Sequence, residues 1–293
     1  MTRYSVETAA IEADELRHRE DNNNLIANEL TQNDDAEQNR KYLAQAILNA
    51  CKATSVDQFL NEKSTSMPFF EALACHNDAS LFESLQVEFK NLFTQLIIDS
   101  IQHLGAKLLN SYTMKNIDTF GEETAFFGNI LTVVANWSNS SVSFSAIFHF
   151  RRGLTILFSI LREKRKESIG DKFNLVDRLC KYESSRSKHN GHTEHLFLKS
   201  ICNILLGIIM NFSKIQYKFK KLWLEVDAFG VLIGISKKLK PIAALSDSFL
   251  SCYIALANIY DDKDQMKLDD IKLVVKSLSD LVGELSDKMA NKN

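Results

Sequence analysis

One phrase occurs three times in this chain, and it constrains the fold more than any other feature. Each copy is an apolar stretch that closes on an asparagine followed by a large apolar residue, and each leads into a polar turn. The copies are ILTVVANWS, ILLGIIMNFS and YIALANIY, and their asparagines are Asn136, Asn211 and Asn258. A phrase that recurs in this way predicts a structure built from repeated helical units.

From Lys41 onward, apolar residues recur at i, i+3, i+4 and i+7, which places them on one face of a helix. Such stripes are Leu43, Ala46, Ile47 and Ala50, and those within 154–161, 201–208, 250–257 and 271–278. Several of these helices are apolar on the opposite face too, so they must be covered on two sides, as stacked repeats are. With only 2 Pro and 10 Gly in 293 residues, the sequence predicts an all-α fold.

The first 40 residues differ in composition from the rest of the chain. They carry ten acidic residues against four arginines, a formal charge of −6, whereas the whole chain carries −2. Such a segment is predicted to be an acidic arm, partly disordered or loosely helical. We therefore divide the chain into an arm over 1–40 and a helical repeat domain over 41–288. A run rich in Ser, Lys, Asn and Gly predicts an exposed loop in that domain at about 182–193.

The repeated phrase resembles the armadillo repeat, whose third helix ends in an Asn-Leu-Ala-like triplet before a corner that contains glycine. Asn136 leads through a serine-rich turn to a helix that ends near Arg152, and Gly153 stands at the corner. Counting Asn49 as an earlier copy, the intervals between asparagines are 87, 75 and 47 residues, which suit units of roughly 40–47 residues. The resemblance covers about 41–285 and implies a right-handed α-solenoid of degenerate armadillo-like repeats.

This resemblance implies a non-enzymatic scaffold or adaptor that binds another protein or an extended peptide in a concave groove lined by the third helices. Nuclear-import adaptors of the family carry a Trp four residues before each such Asn, and this chain has Gln45, Thr132, Gly207 and Ile254 there. The Trp ladder of those adaptors is therefore absent, and binding of a basic import signal by their mechanism is not expected. The candidate groove residues are Asn136, Trp137, Asn211 and Asn258. For each asparagine the alternative is a structural role at a helix end.

Basic residues support a second candidate function. Arg151 and Arg152 match Lys220 and Lys221 in the next copy of the phrase, so stacked repeats would align them in a basic ridge along one edge. Such a ridge would attract anionic lipid or nucleic acid. The plainer alternative is that these are ordinary solvated residues whose stems cover apolar surface.

The sequence contains none of the motifs G-x-S-x-G, G-x-x-x-x-G-K-[ST] or G-x-G-x-x-G, so we expect no enzyme activity and no cofactor. His189, His192 and His195 come nearest to a metal site, but Gly191 between them favours a loop, and no metal is expected. Five cysteines without a C-x-x-C pair indicate reduced, buried thiols and a cytoplasmic or nuclear location. No apolar run is long enough to span a bilayer.

Overall fold

The structure is a computed structural model that describes residues 37–52, 55–75, 80–110, 117–162, 164–165, 172–190, 196–213, 220–238, 248, 251–252, 254 and 279. The chain divides into two compact regions, Met1–Asn49 and Ala50–Asn293. The predicted boundary between arm and repeat domain, after residue 40, therefore falls inside the first region. The predicted arm lies outside the described residues up to residue 36.

The described residues are helical almost throughout, which confirms the all-α class. The helices are α1 (37–51), α2 (Val56–Asn61), α3 (Lys63–Cys75), α4 (Ser80–Ser84), α5 (Val87–Asn110), α6 (Ile117–Ser140), α7 (Val142–Phe150), α8 (Gly153–Leu161), α9 (Leu175–Asn190), α10 (Leu196–Ser213), α11 (Lys220–Glu225) and α12 (Ala228–Lys238). The described part also contains two strands of two residues each, β1 (Lys164–Arg165) and β2 (Lys172–Phe173), which pair antiparallel.

Polar side chains fix where several helices begin. The Ser141 hydroxyl accepts a hydrogen bond from the Phe144 amide at 2.9 Å and so caps α7. At the start of α9, Asn174 and Asp177 each accept from the other's backbone amide at 2.9 Å. These bonds satisfy first-turn N–H groups that have no partner within their own helix.

Nine of the described helices can be grouped in chain order into three sets, which we call units. Each unit begins with a helix of 13 to 24 residues, which we call its long helix. A short helix of 5 to 9 residues follows, and then a third helix after a tight corner. The units are α3–α4–α5, α6–α7–α8 and α10–α11–α12, and α9 lies between the last two in the chain. The corners of the last two units match, since Arg152 and Asp227 have left-handed backbones, with φ of 64° and 51°, and lie 75 residues apart.

The α7–α8 corner is tight enough to require a glycine. A Cβ atom at Gly153 would lie 2.5 Å from the Phe148 ring, which is closer than real Cβ contacts. Glycine is therefore needed at position 153 because the Phe148 ring approaches its backbone closely. The left-handed conformation is adopted by the preceding residue, Arg152.

Corresponding helices of successive units pack against each other. The long helices form one row, because α3 packs against α6 and α6 against α10, and the third helices form another, in which α5 packs against α8 and α8 against α12. Between the first two short helices, Phe82 of α4 contacts Phe144 of α7 with ring centroids 5.2 Å apart. Contacts between corresponding helices therefore link each unit to the next one in the chain.

Aromatic residues fill the space between these rows. Trp137 is fully buried, and its ring centroid lies 5.4 Å from that of Phe82 and 5.8 Å from that of Phe144. Phe212, which occupies the same place in the third unit, contacts Phe148 of α7 at 5.6 Å. Trp137 and Phe212, which follow Asn136 and Asn211, thus both pack inward. Full burial of a large apolar side chain contributes about 1.5–3 kcal/mol to the free energy of unfolding.

The prediction of an exposed loop at 182–193 is wrong over the part that is described. Residues 182–190 belong to α9, and Tyr182 and Glu183 are buried. One Glu183 carboxylate oxygen accepts a hydrogen bond from the Leu198 amide in the first turn of α10, at 3.3 Å. The polar composition concealed a helical stripe in which Glu183 follows Leu179 by one turn.

Candidate interaction face

Asn136 ties α6 to α3. Its side-chain nitrogen Nδ2 donates a hydrogen bond to the carbonyl oxygen of Ala74 at 3.0 Å. Ala74 is the penultimate residue of α3, which ends at Cys75. The last carbonyl groups of a helix have no amide partner in that helix, so the Asn136 amide satisfies one of them from the neighbouring unit.

Asn211 ties α10 to α6 in the same way. Its Nδ2 atom donates to the carbonyl oxygen of Ala135 at 2.8 Å and contacts the Ser138 hydroxyl at 3.1 Å. Ala135 directly precedes Asn136, as Ala74 directly precedes Cys75. A hydrogen bond of the same kind therefore links both successive pairs of long helices. Its acceptor lies in the last turn of α3 but more than one turn before the end of α6.

The two hydrogen bonds give the long helices a register. In this register the residue of α3 that corresponds to Asn136 is Cys75, whereas the role of Asn49 as an earlier copy stays a prediction. Asn49 accepts a hydrogen bond from Gln45 at 3.0 Å within its own helix. A search for asparagine misses the α3 copy because cysteine stands in its place. The signal that remains is the preceding Leu73-Ala74, which matches Val134-Ala135.

The long helices expose a stripe of small, mostly uncharged residues on their solvent side. These residues recur at steps of three and four, so each set lies on one face of its helix. We call this surface the asparagine face, and its residues are Pro68, Ala72 and Cys75 of α3, Ala125, Asn129, Thr132 and Asn136 of α6, and Ser200, Asn203, Gly207 and Asn211 of α10, all half-buried or exposed.

Within the asparagine face, side chains differ in how much hydrogen-bonding capacity they have left. Asn129 makes no side-chain hydrogen bond to the described part of the chain, whereas Thr132 donates to the Gly128 carbonyl one turn earlier at 2.9 Å. Asn136 and Asn211 each use Nδ2 internally. An asparagine has two donor hydrogens and an acceptor oxygen, so the structural role and a surface role are compatible at both positions.

The structure describes one of the two remaining predicted groove residues, Trp137. Trp137 has no exposed surface, so its assignment as a partner-binding residue is wrong. Periodicity could not decide its direction, because α6 is apolar on more than one side. Asn258 lies outside the described residues.

The predicted basic ridge is described only at its first pair. Arg151 is half-buried, and its guanidinium donates to Gln95 Oε1 at 2.9 Å and to Asn91 Oδ1 at 3.4 Å. Arg152 is exposed and makes no capping hydrogen bond to α8. Lys220 and Lys221 are the first residues of α11. Arg151 and Arg152 instead follow the end of α7, so the two pairs do not occupy the matching places that the sequence predicted. The side chains of Lys220 and Lys221 are outside the described part.

A depression of about 400 Å³ lies between α2 and α5. Among its lining residues, His103 Nδ1 lies 2.8 Å from a carboxylate oxygen of Asp57, and the Ser55 hydroxyl accepts from the Gln58 amide as the cap of α2. The serine is thus occupied as a helix cap. Across the described residues, no group of three or more His, Cys, Asp and Glu side chains is placed to hold a metal ion.

The described cysteines are free thiols. Burial raises the pKa of Cys51 to about 11 and that of Cys252 to about 12. Burial, with a smaller contribution from nearby Cys180, raises the pKa of Cys202 to about 12. At neutral pH these three side chains are protonated and poorly nucleophilic.

Comparisons with models of protein families, with curated proteins and with solved structures found no match. In the described part of the chain, no single helix is long and apolar enough to cross a bilayer. The consecutive helices α7 and α8 reach that length and composition only together, and a bend of 68° separates them.

Proposed function

We propose that this chain is a non-enzymatic protein-interaction scaffold, built as an armadillo-like α-solenoid, which binds an extended segment of another protein across the asparagine face. The observation that carries the proposal is the repeated hydrogen bond from Asn136 to Ala74 and from Asn211 to Ala135. The recurrence of one bond type between successive long helices supports a regular array. Arrays of this kind present long surfaces to their partners.

The chemistry of the asparagine face suits a polypeptide backbone. An extended segment carries unpaired N–H and C=O groups, and Asn129, Asn203 and Thr132 are side chains that donate and accept. Small residues such as Gly207 and Ala125 leave room for close backbone approach. Between Ala125 and Asn136 and between Ser200 and Asn211 the stripes contain no charged residue, although the exposed Glu122 and Lys199 lie just before them. Along these stripes the bound segment is expected to be recognised by hydrogen bonds and shape.

Two glycines allow a matched test of this face. A Cβ atom at Gly207 of α10 or at Gly234 of α12 meets no atom within 4 Å in the described structure. Gly207 lies on the asparagine face, whereas Gly234 lies in the row of third helices. Replacing either by Gln inserts an uncharged side chain of the same size, and each change improves helix propensity by about 0.5 kcal/mol.

The experiment first identifies a partner segment by photo-crosslinking in cells from an unnatural residue at Thr132, and then measures its affinity by calorimetry. Gly207→Gln is expected to weaken binding about tenfold, equivalent to about 1.4 kcal/mol, and Gly234→Gln to leave it unchanged. Equal affinities of the two variants would refute binding on the asparagine face. Binding on the asparagine face would also be refuted if a crosslinked segment bound both variants equally.

A further inference from the structure

The short helix α7 is apolar on its outer side as well as on its inner side. Its inner residues Phe144 and Phe148 are buried in the aromatic core. On the outside, Val142 is 78% exposed and Phe150 is 85% exposed, and Ala146 between them is exposed too. Residues at steps of four lie on one side of a helix, so α7 presents an unpartnered apolar stripe to solvent.

This stripe protrudes from the surface and does not line a groove. Phe150 has the largest exposed fraction of the large apolar side chains in the described chain. A side chain that is 85% exposed is touched by few neighbours, so no walls surround it. A partner helix docks into an apolar groove, whereas an apolar protrusion fits a surface that yields around it, such as the headgroup layer of a membrane.

Positive charge lies next to the protrusion. Arg151 and Arg152 directly follow Phe150 in the α7–α8 corner. The guanidinium of Arg151 is held by the neutral side chains of Gln95 and Asn91, so these contacts leave its charge in place. Arg152 is exposed and forms no ion pair within the described residues. Each Arg near an anionic leaflet contributes about 1 kcal/mol of attraction.

We propose that the outer side of α7 and the α7–α8 corner form a docking surface for anionic membranes. Phe150 and Val142 enter the headgroup layer, and Arg152 contacts lipid phosphate. This function goes beyond the proposed scaffold, because it uses short-helix residues that are separate from the asparagine face. Apolar insertion and charge act together, which is the combination that holds proteins reversibly at membrane surfaces.

The test is co-sedimentation of the full chain with vesicles of phosphatidylcholine alone or with about one third phosphatidylserine, at physiological ionic strength. Binding is expected to the phosphatidylserine vesicles and to be much weaker without the anionic lipid. Phe150→Ser is expected to lower the partition coefficient about tenfold, and Arg152→Gln about fivefold. Both side chains are exposed, so circular dichroism should show folded proteins.

Two control variants make the same chemical changes elsewhere. Ile254→Ser removes an apolar side chain that is 51% exposed, and Lys199→Gln removes an exposed cation on α10. Both are expected to bind vesicles as the unchanged protein does. Gly207→Gln should do so too, which allows the membrane and scaffold proposals to fail separately.

Five results would overturn the proposal. Four of them are absence of binding to phosphatidylserine vesicles, equal binding by Phe150→Ser, an equal loss in the two controls, and a dimer in sedimentation velocity that disappears in Phe150→Ser. The last of these four would assign the stripe to a second copy of this chain. The fifth is binding of a single-stranded DNA oligonucleotide that disappears in Arg152→Gln, without vesicle binding, which would likewise replace the membrane by nucleic acid.

Discussion

The side-chain amide of Asn211 donates a hydrogen bond to the carbonyl oxygen of Ala135, 2.8 Å away on the neighbouring long helix. Asn136, the next residue after Ala135, makes the same bond to the helix before it. In the described chain, α3 receives this bond from the following unit, α6 both receives and makes it, and α10 makes it to the preceding unit. In both cases the contact between neighbouring long helices depends on an asparagine at one position of the unit.

Removing either amide should weaken the contact between two units. Asn136→Ala is expected to lower the free energy of unfolding by about 1 kcal/mol, and Asn211→Ala by about 1–2 kcal/mol because its Nδ2 atom has two acceptors. Urea denaturation measures both. Asn139→Ala is the control, since Asn139 is exposed on the same helix, and its effect should stay within about 0.5 kcal/mol. Equal effects at all three positions would remove the special role of the repeated bond.

Glu83 should make stability depend on pH in the acidic range. Burial raises its pKa, but hydrogen bonds from Lys90, Ser141 and Ser143 outweigh burial and lower the pKa from 4.5 to about 2. A carboxyl whose pKa is lower in the folded protein adds stability above its unfolded pKa, and this is lost as pH falls from about 4.5 towards 2.

Glu83→Gln is therefore expected to cost about 1 kcal/mol at pH 7, a figure reduced for the exposure of the carboxylate, and almost nothing near pH 2. Thermal denaturation of both proteins across this range gives the difference. Glu88→Gln, which changes an exposed residue of α5, should show the same dependence of stability on pH as the unchanged protein. A Glu83→Gln defect of constant size down to pH 2 would show that ionisation of Glu83 does not stabilise the fold.

The left-handed backbone at Arg152 predicts a stabilising substitution. Glycine adopts φ near 64° without the cost that a Cβ atom adds, so Arg152→Gly is expected to stabilise by about 0.5–1 kcal/mol. Asp227→Gly makes the same backbone change at the matching corner, but it removes the side chain that accepts from the Gly230 amide at 3.2 Å. It should give no net gain. A higher melting temperature for Asp227→Gly than for Arg152→Gly would contradict this explanation.

The helical class could be predicted from the sequence because the spacing of apolar residues and the scarcity of Pro and Gly act locally. The relation between Asn136 and Asn211 was visible for the same reason, as both copies keep the residue type. Local pattern could not show that Cys75 takes the asparagine's place in α3. It also could not orient Trp137, since a helix apolar on two sides has no unique inward face.

Contacts across long separations in sequence were also beyond prediction. Arg151 donates hydrogen bonds to the uncharged side chains of Gln95 and Asn91, which lie 56 and 60 residues earlier. Nothing in the sequence near Arg151 indicates these contacts. The second half of α9 was predicted as a loop because its inward-facing positions include polar residues such as Glu183, which accepts a hydrogen bond from a backbone amide of α10. In both cases the tertiary partner decides the role of the residue.

The third copy of the phrase offers the most direct measurement. Two contacts already run in the same direction along α10, from Ser248 to Asn203 at 3.4 Å and from Cys252 to the Leu206 carbonyl at 3.3 Å. If the unit repeats, the Asn258 amide should donate to the carbonyl oxygen of Met210, the residue just before Asn211. An experimental structure of the full chain measures the distance between these two atoms. The repeat predicts about 2.7–3.2 Å, and an Asn258 side chain directed away from α10 would contradict the account of stacked units.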